Sequence, residues 1–164
     1  SDQDAERMRQ RGWSMLIRGT ATPSPDHPTY REPVQIDLGL SAQASYYACV
    51  NGEDGTQGIA IEANTVTSAY IYPHLVHLFW DTLGAGDEEL RFDPMAEAAG
   101  RDRVLTIEEL EAVDLTGVLG EDGLPVYDDS GLLERYTLRA FVERAMLESM
   151  HLNGIGFCKK NLLE

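Results

Sequence analysis

His74, His77 and Asp81 stand at i, i+3 and i+7, the spacing that stacks side chains along one face of a helix. Two imidazoles and a carboxylate are ligands that a divalent ion accepts, so the pattern points to metal-dependent hydrolysis. Zinc would want a fourth partner. Leu75 follows His74, so the His-Glu-x-x-His pattern of zinc proteases is absent and supplies no general base. His77 also lies among Leu75, Leu78, Phe79 and Trp80, where packing accounts for a histidine more readily than ligation does. Asp122, Asp128, Asp129 and Glu134 lack the alternation and sixth-place glycine of a calcium loop. No GxSxG, Walker A or GxGxxG sequence occurs. The expectation is therefore a protein without a cofactor.

Cys49 and Cys158 belong to no CxxC pair. A domain of 164 residues buries enough surface to do without a single bridge, so two reduced thiols and a cytoplasmic location are expected.

Charge is the most informative property of the chain. Asp and Glu number 28 against 13 Lys and Arg, a formal net charge of -15, which repels a phosphate backbone and argues against direct nucleic-acid binding. Residues 81–129 alone carry 15 acids and 3 bases, so this acidic segment holds four-fifths of the net charge. Unpaired carboxylates are too costly to bury, which predicts solvated Asp87, Glu88, Glu89, Glu108, Glu109, Glu111, Glu121, Asp122, Asp128 and Asp129. Such a face meets a basic protein by opposed potential, and an exposed Tyr127 beside it would supply an aromatic anchor. The longest apolar run, Leu75 to Trp80, is broken by His77 and falls far short of the roughly 20 residues of a membrane span, so no membrane association is expected.

The elements that position these residues read as α+β in one domain, 1–164. Gly12 ends a short first helix, and Trp13 to Thr20 reads as a strand. Residues 21–33 hold four prolines and form a surface loop. Val34, Ile36, Leu38 and Leu40 alternate with polar residues or glycine as a half-buried strand does. Ser45 to Val50 and the run around Ile59 and Ile61 extend this into an antiparallel meander, with Asn51 to Gly55 as its hairpin turn. Pro73 reads as the first turn of a helix over about 73–83. Thr106 and Glu109 form a capping box for a helix over 107–113. Asp129 or Ser130 caps the longest helix, about 131–152, with Gly154 as its stop. The apolar surface of that helix is wide enough to require two neighbours, which leaves room for a homodimer.

The sequence thus favours a non-enzymatic, acidic binding protein of the immunity, antitoxin, inhibitor or secretion-chaperone type. The alternatives are a small metal-dependent hydrolase built on His74, His77 and Asp81, or a homo-oligomeric structural component.

Overall fold

A computed structural model describes residues 1–41, 43–83, 88–120 and 122–162. The chain has the α+β character its sequence implies, with its strands gathered in three small sheets. Helix α1 spans Asp2–Arg11; Ser1 and Asp4 close its start as a capping box, and Gly12 ends it in the left-handed region at φ 67°. Strand β1 (Met15–Ala21) pairs antiparallel with β2 (Val34–Leu40) over seven residues, and loop 21–33 joins them as expected. Arg7 and Arg18 both reach across to Asp37 on β2. Burial alone would raise the Asp37 carboxyl, but the two guanidiniums outweigh it and hold the group below its ordinary value.

The other edge of β2 pairs in parallel with β5 (Val104–Thr106), so the expected meander stops at two strands. Strand β3 (Ala44–Tyr47) pairs instead with the C-terminal β8 (Lys159–Leu162). The turn at Asn51–Gly55 forms, with Gly55 at φ 72°, but it closes only the single bridge Val50–Gln57. Ile59 and Ile61 belong to no strand; residues 60–70 are exposed at every position, and Ile61 is 85% exposed. A strand there would have had no apolar layer to cover.

Two helix boundaries also move. Pro73 closes a short edge strand, β4 (Ile71–Pro73), where its missing N–H is tolerated. The chain then makes a 3-10 turn over Leu75–Phe79 in place of the helix over 73–83. The long helix α4 runs only from Leu138 to Glu148 and is capped by Thr137. Asp128 and Asp129 bind the amides of Ser130, Gly131 and Leu133 in turns, and Ser130 and Gly131 are left-handed, so no helix starts at 131. Beyond the helix, Met150–Leu152 is strand β6, set between β4 and the two-residue β7 (Gly156–Phe157). Gly154, at φ 94°, turns β6 into β7 and caps no helix.

Helix α2 (Asp93–Ala98) and α3 (Ile107–Leu110) complete the fold. The Thr106–Glu109 capping box is present, although α3 stops before Val113. Leu38, Leu40, Leu105, Leu110, Leu115 and α4's Leu138, Phe141 and Val142 lie in one core. The wide apolar surface of α4 is covered within a single chain, six of its residues being buried, so that face asks for no second copy. Among the described residues no helix is long and apolar enough to cross a membrane. The two cysteines are not reduced: Cys49 and Cys158 form a disulfide across 109 positions of sequence.

Candidate metal centre

The histidines come together, but not with Asp81. His74 follows β4 directly, and its amide donates to the Ser149 carbonyl at 2.8 Å. His77 lies on the 3-10 turn, which packs on α4. The third imidazole is His151, central in β6 and 74 residues beyond His77. One potential ligand atom from each of the three lies within 4.8 Å of the others, the only such triplet among the described residues. Ligand nitrogens about 2.0–2.1 Å from a tetrahedral zinc stand roughly 3.4 Å apart. Ring movements of about an ångström would therefore close the cluster on an ion.

Two of the rings, His77 and His151, are held towards the neutral state that ligates. His74 and His151 stack with centroids 4.4 Å apart, and His77 stands edge-on to both while stacking on Trp80 at 3.9 Å. Burial, followed by repulsion from His151 and His74, pushes the His77 imidazole down to about 4, against a smaller upward pull from Glu88. Burial and His74 lower His151 as well, outweighing a weak opposing influence of the Ile155 backbone. His151 is only 8% exposed, and neither of its ring nitrogens has a hydrogen-bond partner of good geometry. A buried imidazole normally satisfies at least one nitrogen.

The cluster opens on a pocket of about 540 Å³ walled by Trp80, Leu83, Ile155 and Phe157, with the carboxylates of Glu88 and Glu148 on its lining. Glu148 is held by Arg144 and Lys160, whereas Glu88 is exposed. Three imidazoles with space beside them resemble the open arrangement of catalytic zinc, in which water takes the fourth position, more than a closed structural site.

The sequence-derived ligand Asp81 has other duties. It is 7% exposed and accepts hydrogen bonds from the Glu89 amide at 2.9 Å and Arg91 Nε at 3.0 Å. His151 was missed because it lies far along the chain in a segment that reads as the end of a helix. Its only sequence signal is being one of four histidines.

The acidic segment disperses into local roles. Glu89 pairs with Arg91, Glu108 lies 4.0 Å from Arg11, and Glu111 meets Arg135 and Arg139. Glu109 accepts the Thr106 amide, Asp122 the Leu124 amide, and Asp128 and Asp129 those of the turn before α4. Glu88, Glu108, Asp122 and Asp128 remain exposed, while Glu109, Glu111 and Asp129 are half-buried. Asp87 and Glu121 lie outside the described residues. Tyr127 is not an exposed anchor: it is 3% exposed and packs edge-on against Phe141 in the core. No family model matches the chain, and no curated protein or solved structure is significantly similar to it.

Proposed function

We propose that the protein is a divalent-metal protein of the catalytic type, holding a zinc-like ion on His74, His77 and His151. The observation that carries this reading is the His151 ring, buried with both nitrogens unpartnered and turned towards two other imidazoles. Three imidazole nitrogens suit zinc among the common divalent ions, whereas calcium and magnesium call for oxygen. His74, His77 and His151 would hold the ion beside the pocket, and the chemistry it would supply there is the Lewis acidity used in hydrolysis of an acyl or related electrophile. Glu88 is the carboxylate of that lining with no salt bridge among the described residues, and it is suited to take a water's proton. This keeps the hydrolase alternative and exchanges one ligand, His151 for Asp81.

The test is zinc titration of the chelator-stripped protein against a competing indicator, alongside His151→Ala and Asp81→Asn. One equivalent bound tightly, lost in His151→Ala and kept in Asp81→Asn, supports the reading. Zinc binding no weaker in His151→Ala overturns it. The disulfide fits an oxidising compartment better than the cytoplasm.

A second reading, docking to a basic protein, is favoured by the net charge of -15 and by the exposed carboxylates Glu88, Asp122 and Asp128. Electrostatic docking weakens with salt, so affinity for Lys- and Arg-rich peptides that is unchanged between low and high ionic strength removes it.

A further inference from the structure

We infer that the Cys49–Cys158 disulfide controls metal affinity at the histidine cluster, an inference that rests on the metal-binding reading above. His151 occupies the middle of the middle strand, paired with Tyr72 on β4 and with Phe157 on β7. Strand β7 is two residues long and runs directly into Cys158. So short a strand makes too few ladder bonds to hold its own place.

What holds it is the segment after Cys49. The Val50 amide donates to the Phe157 carbonyl at 2.8 Å, and the Gly52 amide donates to the Leu152 carbonyl at 3.0 Å. The backbones approach so closely that a Cβ on Gly156 would stand 1.9 Å from the Val50 carbonyl oxygen, and one on Gly52 would stand 2.3 Å from that of Asn153. Only glycine fits at either position. The bridge pins these contacts from one side, and the β3–β8 ladder continues them on the other, beginning at Tyr47 and Lys159.

His77 is held differently, on the 3-10 turn packed on α4, while His74 shares the β4–β6 ladder and the Ser149 carbonyl with the start of β6. The disulfide therefore bears first on His151, and on His74 only through the β4–β6 ladder. Thiol–disulfide exchange with a dithiol reductant moves two electrons: the protein's S–S bond becomes two thiols, and the reductant becomes a disulfide. Segment 49–52 then loses its tether, β7 loses its clamp, and His151 leaves the cluster while the core around α4 stays packed. The oxidised chain holds the ion, and the reduced chain releases it. Metal loading during maturation would accordingly follow formation of the bridge.

The test compares zinc affinity of the oxidised protein with that of Cys49→Ser/Cys158→Ser, serine being used so that free thiols offer no site of their own. Circular dichroism checks that the helices persist. Affinity at least tenfold weaker in the double variant, with helicity kept, is the expected result. Equal affinity in the two forms overturns the inference and leaves the metal site standing, whereas an oxidised protein that binds no zinc overturns both. Should the double variant fail to fold, Gly156→Ala decides: it presses on Val50 with the disulfide intact, and zinc affinity unchanged from the parent's would overturn the inference. Thr106→Ala, far from the site, serves as a control for general destabilisation and should retain parental affinity.

Discussion

The sheet around His151 and the segment 81–129 show opposite relations between sequence and space. In the first, residues from positions 49–52, 71–77 and 149–158 converge on one small volume, through contacts that no local pattern announces. In the second, a concentration of charge obvious in the sequence breaks up into caps, turns and neighbouring ion pairs. Charge counting weighs carboxylates by number, whereas their function depends on which are left without a partner. Glu109, Asp128 and Asp129 sit at capping and turn positions because their oxygens accept backbone amides there. The ring nitrogens of His151, by contrast, have no hydrogen-bond partner of good geometry, and that makes them available.

The contrast is easiest to break at the bridge. Removing a cross-link that spans 109 positions should destabilise the protein by roughly 3–5 kcal/mol in urea unfolding, if the chain-entropy account holds. A loss below about 1 kcal/mol would mean that the His151 region is held by packing alone.

Acid should come next. His77 is held near 4 in the folded metal-free protein and titrates near 6.5 when unfolded. The unfolded chain therefore binds more protons between those values, and stability falls as pH drops from about 6.5 to about 4. After allowance for solvent screening of a partly exposed ring, the loss is on the order of 1–2 kcal/mol. His77→Gln should flatten that slope; a slope that survives the substitution would assign the acid sensitivity elsewhere. Asp37 adds a separate loss at lower pH, below its unfolded value near 3.8, because Arg7 and Arg18 favour its charged form.

Those acids of the middle segment that accept backbone amides should each matter by about 1 kcal/mol through those bonds. Asp129→Ala, which frees the Gly131 and Leu133 amides, should lower stability by about that amount in urea unfolding. Glu88→Gln should change it by less than about 0.5 kcal/mol. Equal effects of the two substitutions would show that these carboxylates act as a common field rather than through their separate bonds.

The smallest change expected is at Tyr127. Its hydroxyl is buried without a hydrogen-bond partner among the described residues, so Tyr127→Phe should be neutral or mildly stabilising. A marked loss of stability on removing that oxygen would indicate a partner for it after all.

What was legible in the sequence was local. The Gly12 stop, the proline-rich loop, the alternation of β2, the left-handed Gly55 and the Thr106–Glu109 box all act within a few residues of themselves, and all are present. The pairing of β2 with β5 and of β3 with β8 was not legible, because short strands owe their partners to long-range closure rather than composition. Pro73 was ambiguous by its nature, since an edge strand and a first helical turn accept proline for the same reason, an N–H that nothing needs. The candidate site was half visible. His74 and His77 declared themselves by spacing, Asp81 shared that spacing without sharing the site, and His151 required the fold.

The exposed stretch at residues 60–70 lies between the two bridged cysteines. A protease that nicks the chain there would release nothing: the N-terminal piece keeps Cys49, the C-terminal piece keeps Cys158, and the fragments travel as one band until a reducing agent separates them. A clipped molecule would thus still carry all three imidazoles on its C-terminal fragment, covalently joined to the residues that brace them.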